Sequence, residues 1–298
     1  MKLAGDGAYT LLSVAYASIF PYFTTDEART LRLVCSEFCA TVAAYPWADT
    51  TPLRSRVGAW RRSFPLARVA NIAHPICQSR LSPHITDADF CHFAGLRELD
   101  ATKCMITDDA LQHLGAIKKL VLARCPITGT GFAALRNIQS LTVDDCPLVA
   151  GVFTTLTGLR HLSVRGCAVT DEDFATLKNL KILDVAWCTG LTDAVFSGLE
   201  LEEVNVSWCR WLTDAAFAHF KSVRVLKMTY CTQISSDAFV HLGAVETLDI
   251  SRCSELDISI FDHLPSLRRL DVMSCARIKQ GFMERPWLAY LPNVTILF

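Results

Sequence analysis

The sequence predicts an α/β solenoid: a curved stack of short parallel strands on the concave face, short helices or turns on the convex face, and an all-helical cap at the N-terminal end. Three observations predict it. Nine cysteines stand in register: Cys104, Cys125, Cys146, Cys167, Cys188 and Cys209 lie 21 residues apart, and Cys231, Cys253 and Cys275 follow at intervals of 22. The same apolar phrase surrounds each of them. Residues 11–49 share neither the interval nor the phrase. Self-similarity at a period of roughly 20–50 residues is the signature of a stacked-coil architecture.

Composition agrees. The chain has 298 residues, 51% of them apolar and 20% charged, with a mean hydropathy of +0.28. That suffices for a large core and excludes a disordered chain. A net charge of −1 gives no overall drive toward nucleic acid or an anionic membrane. The 13 cysteines are an odd number, and no C-x-x-C occurs. Buried free thiols in a reducing intracellular compartment, cytoplasm or nucleus, therefore fit better than a disulfide framework.

Taken from the N-terminus, the run "LLSVAYASIFPYF" (11–23) is too short to cross a membrane. Its thin basic region and Asp6 argue against a secretory leader, and no arginine precedes Arg29 to suggest a mitochondrial one. Leu11, Ala15, Ile19 and Phe23 recur every fourth residue, which predicts a buried amphipathic helix. Residues 1–52 are assigned to a helical module. A connector follows at 53–68, where "RSRVGAWRRSFPLAR" (54–68) carries five arginines and no acid. It is either a solvated face or a contact for an acidic partner, including RNA phosphate. Residues 69–298 form the solenoid.

Each repeat follows L-x-x-L-x-[VLAIM]-x-x-C, as in "LRELDATKC" and "LEEVNVSWC". The alternating part predicts one short strand per coil. The chain then turns inward, and a compact buried side chain able to make a weak hydrogen bond is needed there. The cysteines thus predict an internal ladder of inert thiols. The earlier phrase "VANIAHPICQSRLSPHIT" is taken as a degenerate copy with Cys77 at the ladder position, and "LPNVTILF" (291–298) as a closing strand, which makes eleven strands. Phrases such as "ITDDALQHL" and "LTDAAFAHF" place Thr before an apolar run, an N-cap signal for helices of one or two turns. His92, His113, His219, His241 and His263 each lie twelve residues before a ladder cysteine. That column is broken by Ala134, Thr155, Thr176 and Ser197 and belongs to the convex side.

Two columns should face the hollow. The first holds Asp184, Asn205, Lys227 and Asp249. The second, just before each cysteine, runs Lys103, Arg124, Asp145, Gly166, Trp187, Trp208, Tyr230, Arg252, Ser274. Trp187, Trp208 and Tyr230 should form a continuous ridge, with Trp211 on the next turn and Arg210 and Arg252 flanking it. Exposed aromatics with arginine are the composition of an interface hot spot. The same rings could instead be packing at the strand–loop rim.

The phrase is similar to the cysteine-containing subtype of the leucine-rich repeat. The N-terminal pieces "IFPYF" (19–23), "LRLVCSEF" (31–38), Val42 and Trp47 resemble the F-box motif, in a divergent form with Leu11-Leu12 at the opening. Together they resemble F-box/leucine-rich-repeat substrate receptors of ubiquitin ligases. The resemblance implies that Ile19, Phe20, Leu31, Leu33, Val34, Cys35 and Phe38 dock a Skp-type adaptor, while the arc holds a target protein. The helical segment could equally be a cap for the first coil, since a solenoid exposes its terminal apolar edge. The arc could also serve as a permanent surface within a ribonucleoprotein or cytoskeletal assembly.

No nucleotide-binding glycine loop, H-E-x-x-H or G-x-S-x-G is present. Neither a catalytic constellation nor a cofactor or metal site is expected. The expectation is a non-catalytic scaffold.

Overall fold

The computed structural model describes residues 19–32, 36–48, 53, 57–73, 85–284 and 294–297. Eleven strands form one parallel sheet in strict chain order: β1 (Val69–Asn71), β2 (Glu98–Asp100), β3 (Lys119–Val121), β4 (Ser140–Thr142), β5 (His161–Ser163), β6 (Ile182–Asp184), β7 (Glu203–Asn205), β8 (Val225–Lys227), β9 (Thr247–Asp249), β10 (Arg269–Asp271) and β11 (Thr295–Leu297). The sheet is curved. Leu99, Leu120, Leu141, Leu162, Leu183, Val204, Leu226, Leu248 and Leu270 lie opposite one another with no slip. All of them are buried, so each strand's centre feeds the core and its two outer residues face the hollow.

One feature of β1 differs from the sequence reading. Ala70 pairs with Leu99 and Asn71 with Asp100. Asp100 stands four residues before Cys104, so the corresponding site after Asn71 is position 75. Cys77 is two residues out of register, and it lies outside the described residues. The phrase allowed both alignments; backbone pairing selects this one.

Between strands the outer face carries short 3-10 helices, among them Asp108–His113, Asp193–Phe196 and Asp214–His219. Thr107, Thr192, Thr213 and Ser235 cap theirs by accepting from the backbone N–H two residues on. Beneath them Phe90, Phe132, Phe153, Phe174, Phe196, Phe217 and Phe239 are fully buried. From Phe132 on this phenylalanine spine recurs every 21 or 22 residues, with buried Leu111 standing in between Phe90 and Phe132, and with the cysteines it fills the coil from both sides. The last outer element is a longer α-helix, Ala276–Glu284.

At the N-terminal end, helices Thr25–Leu31 and Ser36–Ala44 precede a third helix, Val57–Ser63. Thr24 and Glu27 form a capping box at the first of them. An unbroken line of rings joins these helices to the first coils. Phe20 meets Trp47 at 5.2 Å, Trp47 meets Phe64 at 5.6 Å, Phe64 meets Trp60 at 6.3 Å, and Trp60 meets Phe93 at 6.3 Å. Trp47 and Trp60 are buried, and Trp47 donates its indole N–H to Val42 O at 2.8 Å. The stretch 54–68, read as a connector, thus carries a packed helix. Its Arg61 donates to Ala67 O and Ala94 O at 3.1 and 2.7 Å, which clamps the helix to the first coil. Arg62 and Arg68 are exposed; Arg54 and Arg56 lie outside the described residues.

Candidate protein-binding face

Each ladder cysteine donates its thiol to a carbonyl of the preceding coil. Cys125 Sγ reaches Ala101 O at 3.1 Å, Cys188 reaches Val164 O at 3.1 Å, Cys209 reaches Val185 O at 3.2 Å and Cys275 reaches Ile250 O at 3.0 Å. These are the turn carbonyls that the inward bend leaves inside the coil. The nine thiols, Cys104 through Cys275, are buried and free. Burial pushes Cys104, Cys125, Cys167 and Cys231 up to about 12 and Cys188 to about 11. A thiol held protonated is a donor and a poor nucleophile.

Every ladder cysteine also closes a turn; Cys209 N–H donates to Val206 O at 3.1 Å. The third residue of that turn is the one before the cysteine, and it lies at positive φ, as in a type II turn. Lys103, Arg124, Asp145, Trp187, Trp208, Tyr230, Arg252 and Ser274 have φ between 55 and 65°, and Gly166 has 66°. Left-handed backbone costs a residue with a Cβ about 1–2 kcal/mol, so glycine or asparagine is preferred there. The second column is therefore a row of strained positions, eight of nine filled by side chains that the backbone disfavours.

Three of those side chains stack. The Trp187 and Trp208 centroids are 4.3 Å apart at 15°, and Trp208 and Tyr230 are 4.0 Å apart at 18°. Arg210 places its guanidinium 5.9 Å from the Tyr230 ring centroid, within range of a cation–π contact. Trp187 is 49% exposed, whereas Trp208 and Tyr230 are covered in part by their neighbours. Arg252 is exposed beside Tyr230 in the same column.

Trp211 is not part of this stack. Its indole N–H donates to Cys188 O at 2.8 Å, and its ring lies on buried Phe196 at 6.1 Å. The chain has turned inward by that point, so Trp211 seals the gap between two coils. It leaves the candidate binding set.

The first column has a local task. Asp184, Asn205, Asp249 and Asp271 each accept from the backbone N–H two residues on, at 3.0–3.1 Å. Their side chains end the strand by replacing a ladder partner. Asn205 Nδ2 donates to Asp184 Oδ2 at 2.8 Å, and Thr229 Oγ1 donates to Asp249 Oδ2 at 3.0 Å. Burial pushes the Asp184 carboxyl up, against the hydrogen bonds from Ala186 and Asn205. Lys227 interrupts this row and is exposed; Ser207 Oγ accepts from Thr229 N–H at 3.2 Å in its place.

A second inter-coil ladder was not anticipated. The aspartate of each T-D phrase reaches the next coil. Asp87 accepts from Thr107 N–H and Oγ1, Asp108 from Thr128, Asp171 from Thr192, Asp193 from Thr213 and Asp214 from Ser235. The recurrence of Asp one coil before a Thr or Ser was its visible signal. The five recurring histidines lie at the ends of convex 3-10 helices, as their spacing suggested.

Among the adaptor positions, Ile19 is 40% exposed, but Phe20 is 1% exposed and packs on Tyr45 and Trp47. Phe20 therefore belongs to the cap's own core and offers no surface. Leu33, Val34 and Cys35 lie outside the described residues, as do the side chains of Leu31 and Phe38. Among the described residues no helix is long and apolar enough to cross a membrane.

No family model matches the chain, and no curated protein matches it. Solved structures do. An internalin from Listeria monocytogenes superposes with a TM-score of 0.58 at 17% identity, over 92% of this chain and 87% of that one. The fold is a leucine-rich-repeat solenoid. A chain of the yeast Rad7 and Elc1 complex gives a TM-score of 0.55 at 13% identity, over 97% and 92% of the two chains. A chain of the mouse RP105/MD-1 complex gives 0.54 at 18% identity over 70% of this chain, which spans only 38% of that one. Each of nine coils here carries a cysteine whose thiol bonds a carbonyl of the preceding turn.

Proposed function

We propose that the protein is a non-catalytic scaffold that binds a partner protein at the concave rim of its leucine-rich-repeat arc. One observation carries this reading: three aromatic side chains stack at the rim, the first exposed and the other two half-buried, on positions where the backbone prefers glycine. Backbone strain at successive positions is kept when the side chains have a use. Rigid aromatics flanked by arginine supply contact area with little rotamer entropy to lose. The strand-end carboxylates and Lys227 would set register at the rim of the contact more than its strength.

The helical module at 1–52 is proposed to dock a second protein. A Skp-type adaptor is the partner its F-box resemblance points to, and exposed Ile19 and Tyr22 supply apolar surface there. The yeast Rad7 and Elc1 complex lends support, because its matched chain is covered almost end to end and pairs with a second protein. Free buried thiols suit a reducing compartment.

The test is quantitative affinity purification of the full chain. Trp187→Ala with Trp208→Ala should remove the arc's partner and leave the adaptor bound. Ile19→Asp should do the reverse. Unchanged recovery with both variants would contradict the two-surface reading.

A further inference from the structure

The two ends of the aromatic stack differ. At the Tyr230 end the next position of the column is Arg252, and Arg210 lies 5.9 Å from the Tyr230 ring centroid. At the Trp187 end the outer ring face is open, because the next position of the column is Gly166, which has no side chain. Across Gly166 stands Asp145. Its Oδ2 accepts from Arg124 Nε at 3.0 Å. Its Oδ1 leans over Gly166, only 2.5 Å from where a Cβ would sit, and among the described residues no donor reaches that oxygen. Coils repeat at about 4.8 Å along the sheet, so the column has a gap beside Trp187 where a ring is missing, and Asp145 Oδ1 reaches into its base at Gly166.

We propose that this gap receives an arginine side chain of the partner protein, its guanidinium stacked on the outer face of Trp187 and donating to Asp145 Oδ1. The inference rests on the reading of the ridge as the partner-binding surface. A guanidinium is planar, stacks on indole and carries in-plane donors; an ammonium has no plane to stack. The chain already brings one guanidinium, that of Arg210, within cation–π range of a ring of the same stack. Asp144 and Asp184 lie on the adjoining strand ends, with Arg165 as the neighbouring cation. Their carboxylates disfavour a nucleic acid, whose bases could stack but whose phosphates would be repelled.

The test uses the full chain and capped tripeptides of glycine flanking arginine, lysine or citrulline, followed by the NMR signals of the Gly166 amide and the Trp208 indole N–H, which every variant keeps. Citrulline keeps the shape of arginine and lacks its charge. The arginine peptide should bind about fivefold or more tightly than the citrulline peptide. Asp145→Asn should bring arginine down to the citrulline level, and Trp187→Ala should abolish the difference. Equal binding of arginine and citrulline, indifference to Asp145→Asn, or a shift produced instead by an oligouridine probe would overturn the inference. Partner capture that still depends on Trp187 and Trp208 while the arginine peptide is silent would overturn it too, and would leave the scaffold reading intact.

Discussion

Asp193 of one coil accepts from both the backbone N–H and the hydroxyl of Thr213 in the next. Thr213 in turn accepts from Ala215 N–H and so starts the following 3-10 helix. One carboxylate thus fixes the spacing of two coils and the start of the outer turn. Asp193→Ala should cost about 0.5–1.5 kcal/mol by exchanging two inter-coil hydrogen bonds for bonds to water. Asp193→Asn, which keeps one acceptor, should cost less. Urea unfolding midpoints check the order.

Asp108 does the same work with more donors. Burial alone would raise its carboxyl, but hydrogen bonds from Gly131, Thr128 and Gly129 outweigh burial and bring it below the ordinary aspartate value. A lowered carboxyl contributes stability that is fully present above the unfolded pKa and lost as pH falls through the folded one. The unfolding midpoint of the parent should therefore fall on acidification below about pH 4, and Asp108→Asn should show a shallower fall. Parallel slopes would contradict this assignment.

The ladder thiols should be silent toward a maleimide at pH 7 in the native state, since burial pushes Cys125 and Cys231 up to about 12. Exposed Cys91 should react at once. The ladder should become reactive only in step with unfolding. Cys209→Ser keeps a second donor for Val185 O and should be tolerated better than Cys209→Ala, which leaves that carbonyl with the Cys188 N–H alone. Mass spectrometry of labelled peptides and melting of the two variants check both halves.

The repeat was legible because a coil of constant length forces constant spacing. Ladder cysteines, strand centres and short outer helices could all be placed by counting. Cys77 went astray because its phrase fits two alignments, and only the Ala70–Leu99 pairing separates them. Trp211 sits two residues after Cys209, and no count says that the chain has already turned inward there. Phe20 matched an adaptor motif, yet burial against Trp47 decides its role. The strain in the Trp187 column resides in φ, which composition does not reveal. The gap at Gly166 acquires meaning only once the rings beside it are known to stack.

Ring stacking contributes about 0.5–1.5 kcal/mol per pair, and relief of left-handed strain returns about 1–2 kcal/mol per residue when glycine replaces a side chain. The two nearly cancel for the ridge. Phe196, at 0% exposure, has no such offset, and Phe196→Ala should cost about 3–5 kcal/mol.

The most direct measurement is therefore urea unfolding of the Trp187→Gly, Trp208→Gly double variant beside the parent chain. A ridge kept for binding predicts a stability within about 1 kcal/mol of the parent, from the balance of stacking and strain, together with loss of the arc's partner. A drop comparable to that of Phe196→Ala would make the rings part of the core and contradict the account.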